Sequence, residues 1–106
     1  MNTAAKGRRN EHRSMEIYRR QGFKCIRAAA SKGAWDFVAI SRFNVVLVQV
    51  KTGDWPGPAE RALLAEFPAP LNVNREIQRW RPRARQPDVR VWNGVEWRDE
   101  GVAHAA

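Results

Sequence analysis

The sequence has one cysteine, one tyrosine, no long apolar run and few acidic residues. A lone Cys25 excludes an internal disulfide, which fits the reducing cytoplasm of a prokaryote, or of a host cell if the source is a virus. It stands in "FKCIRA", an apolar strand-like run that suits an inert core thiol. No segment approaches the ~20 apolar residues that a membrane-spanning helix needs. The basic start of the chain lacks the apolar stretch of a secretory signal. A soluble, intracellular protein without a membrane partner is expected. The shortage of acids says most: eleven stand against nineteen basic residues, a formal charge of +8. Fifteen of the nineteen are arginines, whose planar fork of donors matches phosphate oxygens, so the expected partner is a polyanion, nucleic acid first.

At 106 residues the chain is read as one domain, with neither repeats nor a second unit. Residues 1–9, small and polar, read as a loose arm, and 101–106 as a frayed end. A helix is expected over 10–21, capped by Asn10 and stopped by Gly22, with Glu11, Met15 and Tyr18 along one face. Strands are expected over 23–29, 35–41 and 44–51, the last two forming a hairpin about the turn "RFN". "ASKG" (30–33) reads as a loop. After "GDWPGP", Pro58 suits the first position of a helix over "AERALLAEF", which Pro68 and Pro70 end. Beyond it, Arg alternates with Ile, Trp and Val in one or two further strands. The expected architecture is an α/β domain, a mixed sheet of four to five strands flanked by two helices.

"WDFVAISRFNVVLVQVKTG" carries three polar side chains on its most apolar strands: Asp36, Gln49 and Lys51. Strand alternation turns Gln49 and Lys51 to one face and Val46, Val48 and Val50 to the other. A two- or four-residue loop near Phe43 sets Asp36 across from Gln49 or Lys51, with Trp35 and Phe37 on the opposite face from Asp36. Glu11 continues the line of Met15 and Tyr18 toward the sheet, although a Glu in a first helical turn is also favoured by the helix dipole alone. Two carboxylates and an amide oxygen suit Mg²⁺ or Mn²⁺, and an adjacent Lys can orient or deprotonate a water or steady charge on phosphorus. An edge hairpin with a plain Asp36–Lys51 pair explains those two residues but leaves Gln49 unexplained.

Taken in order, "GRRNE", "SKGAWDFVAI" and "VVLVQVKTG" resemble the PD-(D/E)xK nuclease superfamily, and within it the small archaeal and phage-type Holliday junction resolvases. The likeness covers roughly residues 6–67 and implies a restriction-endonuclease-like core. It further implies a homodimer with one metal site per subunit, and Mg²⁺-dependent nicking of four-way DNA junctions, with Mn²⁺ as a substitute and no small-molecule cofactor. Carried over, Glu11 and Asp36 are metal ligands, Lys51 is the catalytic lysine and Ser31 the loop serine, which an ordinary turn also explains. Where the family has a second strand carboxylate this chain has Gln49, which can offer an oxygen to a metal but no charge. Two other readings stay open: a nuclease of the same chemistry with a repair or restriction task, and a non-catalytic DNA-binding module with a degenerate site.

The basic residues fall in two groups. Lys6, Arg8, Arg9 and Arg13 lie early, and Arg75, Arg79, Arg81 and Arg83 late, the second group expected to form one stripe along a strand. Lys32 and Trp55 are further candidates for touching DNA, whereas Trp80, Trp92 and Trp97 are expected in the core or at a subunit contact. Such stripes grip phosphates without reading bases.

Overall fold

The computed structural model describes residues 3–28 and 34–102. Two helices and six strands follow in the order α1 (Thr3–Arg20), β1 (Lys24–Arg27), β2 (Phe37–Ile40), β3 (Val45–Thr52), α2 (Pro58–Glu66), β4 (Val73–Trp80), β5 (Asp88–Trp92) and β6 (Trp97–Val102). The strands form one sheet in sequence order, every neighbouring pair antiparallel except β3 and β4, which run parallel and are joined by α2. The sheet therefore has six strands, more than the four to five expected. The tail of the chain supplies the extra one, since β6 pairs with β5 through Val102, where a frayed end was expected. Among the described residues no helix is long and apolar enough to cross a membrane.

The first helix starts earlier than its sequence suggests. Residues 3–9 are helical instead of loose: Ala4 and Ala5 favour helix, and Gly7 is accommodated within it. Asn10 consequently lies inside α1, where its buried amide donates to Thr52 Oγ1 at 2.8 Å instead of capping. The other end behaves as expected. Gly22 takes a positive φ of 92°, Phe23 N–H reaches Tyr18 O at 3.1 Å and Gly22 N–H reaches Arg19 O at 3.0 Å. That is a Schellman closure, which needs a residue free to adopt the left-handed region. Pro58 opens α2 at its first turn.

Alternation along β3 decides the two layers. Val46, Val48 and Val50 point to α1, where they join Met15, Tyr18, Phe37, Ala39 and Trp80 in the main core. The other face carries Leu47 and Ile77, packed with Trp35 and with Leu64 of α2 in a second cluster. Cys25 packs against the main core, and burial pushes its thiol above the usual range, which suits an inert side chain. Trp35 and Phe37 fall on opposite faces, contrary to expectation. Regular strand begins only at Phe37, so alternation does not govern Trp35.

Glu76 is buried on the α1 side of β4 and accepts a hydrogen bond from the Tyr18 hydroxyl. Burial raises its pKa to about 8, helped by the negative charge of Glu100, while a hydrogen bond from Gln78 opposes the shift. The folded protein thus holds a neutral carboxyl that the unfolded chain ionises above its ordinary value of 4.5. Stability is full below that value and is lost as pH rises toward 8, at up to ~1.4 kcal/mol per pH unit. Denaturant titrations at about pH 5 and about pH 8 are expected to show this loss in the parent, and much less of it in Glu76→Gln.

Candidate active site

The pairing of β2 with β3 builds the site. A four-residue connection closes through Ser41 N–H to Asn44 O at 2.8 Å, with Ser41 Oγ accepting from the amides of Phe43 and Asn44. The resulting register sets Phe37 against Val48, so the preceding residue, Asp36, lies across from Gln49. Asp36 is fastened to β3 twice: its N–H donates to Val48 O at 2.9 Å, and its Oδ2 accepts the Val50 N–H at 2.7 Å. Its carboxyl is held above the ordinary aspartate range. Burial is the main cause and the charge of Glu11 adds to it, while the Val50 amide, Lys51 and Arg27 pull the other way.

The Gln49 amide admits two orientations. In one, Nε2 donates to Glu60 Oε2 at 3.3 Å. In the other it donates to Ala34 O at 2.7 Å and to Asp36 Oδ2 at 3.2 Å, with the amide oxygen facing donors. The second satisfies more groups and is preferred. Gln49 thereby acts on Asp36 as a donor. Where a carboxylate would repel Asp36, the amide supports its ionised form, and its oxygen turns away from Asp36.

Lys51 follows on the same face as Gln49, and its Nζ meets Glu60 Oε2 at 2.9 Å. Glu60 stands in the first turn of α2. Glu11 comes from α1, beside the sheet end, where Oε1 accepts from Arg27 Nε at 3.2 Å. Arg27 is the last residue of β1 and pairs with Phe37. Gln49 and Lys51 thus lie on the face that meets α2, Asp36 lies beside Gln49, and Glu11 acts on Asp36 through its charge from the α1 side; Arg27 and Glu60, which the sequence did not single out, pair with Glu11 and Lys51. Glu60 looked like an ordinary helix-start acid and Arg27 like a strand residue among many arginines; no spacing marked either. Ser31 and Lys32 lie outside the described residues.

Glu11 and Asp36 are hard oxygen donors whose mutual repulsion a cation would relieve. Among the described residues, no three His, Cys, Asp or Glu side chains gather as a metal-holding set. The donors therefore fit one hard divalent ion that keeps most of its water, and do not fit a closed cage.

The two basic groups are rearranged. Lys6, Arg9 and Arg13 of α1 line one cleft together with Trp80, Arg81, Pro82 and Arg83. Arg13 is tied down there, donating to Ala84 O at 2.8 Å with its guanidinium 3.9 Å from the Trp80 ring centre. Arg8 is exposed on the same helix. The expected stripe of Arg75, Arg79, Arg81 and Arg83 does not exist, because β4 ends at Trp80 and Pro82 stands in the turn that follows. Arg75 donates to Phe67 O at 2.6 Å, and Arg79 and Arg81 both hold Asp88, at 2.6 and 2.9 Å. Trp55 is half-buried against the second cluster, with the guanidinium carbons of Arg79 and Arg90 4.8 and 4.1 Å from its ring centre. Trp80 is buried in the main core, and Trp92 and Trp97 pack on each other at 5.4 Å, matching their expected structural roles.

With this geometry in place, comparisons with known proteins are specific. The family model for archaeal Holliday junction resolvases (Hjc) matches residues 2–55, just over half of the chain and the part that contains Glu11, Asp36, Gln49 and Lys51. Among solved structures, that of Archaeoglobus fulgidus Hjc, a Holliday junction resolvase from an archaeal hyperthermophile, is similar with a TM-score of 0.61 at 23% identity. The match covers 82% of this chain and 71% of that one, and at this identity it speaks for the fold. No curated protein matches the sequence significantly. The fold is that of the Hjc nucleases, and the chain belongs to the archaeal Holliday junction resolvase family.

Proposed function

We propose that this resolvase-family protein hydrolyses DNA strands at four-way junctions with a divalent cation, Mg²⁺ or Mn²⁺, and makes paired symmetric nicks as a homodimer. The observation that carries the reading is the β2–β3 register, which sets Asp36 across from Gln49 with Lys51 on the same face as Gln49. Glu11 lies close enough for its charge to act on Asp36.

In this mechanism Glu11 and Asp36 would hold the cation, which would supply Lewis acidity toward a phosphoryl oxygen and the attacking water. Val50 N–H and the Gln49 amide fix the Asp36 carboxylate so that its free oxygen is presented in one direction. Lys51 brings positive charge to the scissile phosphate and steadies the charge that develops there. Ser31 and Lys32 are assigned to the same region by the family pattern alone. Lys6, Arg8, Arg9, Arg81 and Arg83 bind flanking phosphates, supported by the basic cleft between α1 and the β4–β5 turn. Trp55, already engaged by two guanidinium groups, contributes at most an edge to DNA.

One catalytic set cuts one strand, so a junction needs two copies related by a two-fold axis. Apolar surface on the first two strands and on the β2–β3 connection favours such pairing: Ile26 is 61% exposed, Phe43 88% and Ile40 37%. The free thiol and the basic surface suit a cytoplasmic setting with access to DNA.

A second reading, a DNA-binding module without catalysis, is favoured by one feature. Glu11 and Lys51 are each closed in an ion pair, and Gln49 supplies no charge. Incubation with labelled four-way, flap and linear duplex DNA, with and without Mn²⁺, separates the readings. Symmetric nicks at the branch support resolution, cuts elsewhere a different nuclease task, and retarded mobility without cutting the binding module.

On the favoured reading, Asp36→Asn and Lys51→Ala each lower junction cleavage at least about a hundredfold without lowering junction affinity to a similar degree. Cleavage at the parental rate in either variant would overturn the assignment of the site. Binding is expected to weaken linearly in log–log plots against salt, and Arg83→Ala to reduce that slope by about one. A slope near zero in the parent would remove the phosphate-gripping cleft.

A further inference from the structure

The charges around Asp36 do not balance as the family pattern leads one to expect. Glu11 and Asp36 face Arg27 and Lys51, two negatives against two positives, because Gln49 brings an amide where a carboxylate is usual. Such a pocket has no net attraction for a cation. Glu60 changes the count by one. Its Oε2 lies 2.9 Å from Lys51 Nζ, so it touches the lysine of the site directly. Building on the reading of Lys51 given above, we propose that Glu60 is a positioning residue of the active site, holding the Lys51 ammonium in place and supplying the negative charge that Gln49 lacks.

An ion pair at a surface is usually worth little, because water screens it and two long side chains must be ordered to make it. An acid in a first helical turn also needs no partner to be favoured there. Three observations set this pair apart. The Lys51 and Glu60 side chains are only 29% and 40% exposed, so screening is incomplete. The pair bridges a strand and a helix, so its geometry is fixed by the fold and not by one flexible turn.

Finally, α2 is anchored on both sides of Glu60. Pro58 opens it, Arg61 Nη1 donates to Pro56 O at 2.7 Å, Trp97 Nε1 donates to Arg61 O at 3.2 Å, and Leu64 is fully buried in the second cluster. A carboxylate delivered by so constrained a helix turn can set where an ammonium points. It also explains how a Gln at position 49 is compatible with a working site. The charge is moved one layer outward, to the far side of the amide from Asp36, instead of being lost.

The test uses this chain and four variants: Glu60→Gln, Glu60→Asp, the exchange Gln49→Glu with Glu60→Gln, and Asp36→Asn. Three quantities are measured: Mn²⁺ binding without DNA, by electron paramagnetic resonance; single-turnover cleavage of a four-way junction, by rapid quench; and the melting temperature. Glu60→Gln is expected to weaken Mn²⁺ binding and slow cleavage by about tenfold to a hundredfold, the range for residues that orient a metal site from behind. Its melting temperature and junction affinity stay near the parent's, and Glu60→Asp, which keeps the charge, recovers part of both losses. The exchange variant recovers most of the Mn²⁺ affinity, because it returns the carboxylate to β3.

If Glu60→Gln binds Mn²⁺ and cuts like the parent while Asp36→Asn is inactive, the role of Glu60 is refuted and the site stands. The same holds if the exchange variant recovers nothing, since the charge account then fails. Parental cleavage by Asp36→Asn refutes the site itself, and with it this inference.

Discussion

The register between β2 and β3 is the constraint on which the rest of the molecule depends. Side chains alternate with a period of two, so a slip of one residue would turn Gln49 and Lys51 toward the main core under α1 and move three valines to the half-buried face that α2 covers. Burying Val46, Val48 and Val50 against Met15 and Tyr18 opposes that slip strongly, at roughly 1.5–3 kcal/mol for each aliphatic side chain kept from water. The apolar core thus holds the polar site in place. Asp36 adds a lock of its own by accepting the Val50 amide with its side chain, which anchors the entry of β2 to β3.

Asp36, Glu11 and Lys51, the charged side chains of the candidate site, are each held by a partner from another element. Asp36 is held by β3, Glu11 by Arg27 on β1, and Lys51 by Glu60 on α2. Burial penalises the charge of Asp36, and the Val50 amide is the largest influence opposing that penalty. Preorganisation of this kind costs stability at the site and is tolerated because the two apolar clusters flank it. Glu76 shows the contrasting solution. With no cation facing it among the described residues, it stays neutral below about pH 8.

Much of this arrangement was legible in the sequence, for identifiable reasons. The alternation in "VVLVQVK" fixed both layers at once, because three consecutive odd-one-out positions can satisfy only one strand phase. Pro58 and Gly22 marked a helix start and a helix end through backbone constraints that act locally. What escaped was non-local. Asn10 has the chemistry of a cap, and only the presence of Thr52 on a distant strand explains why it sits buried inside α1. The sequence pattern placed Arg75, Arg79, Arg81 and Arg83 on one strand face, yet Pro82 broke that strand, and the basic groups met across the α1 side instead. Arg27 and Glu60 gave no signal, since their importance lies in what they face across the fold.

The sheet's single parallel pair carries a consequence for which lengths this chain can vary. Antiparallel neighbours close through tight turns such as 93–96, where Asn93 Oδ1 accepts the amides of Val95 and Glu96, at the end of the sheet's far edge. Added residues there lengthen a ribbon without disturbing the chemistry. The crossover from β3 to β4 is different, because it starts at Gly53, two residues after Lys51, and carries α2 with it. One residue inserted ahead of Glu60 within the helix turns it by about 100° and carries its carboxylate away from the ammonium. Chain length is therefore an inherited part of the Lys51–Glu60 geometry at that junction and free to drift at the hairpin tip.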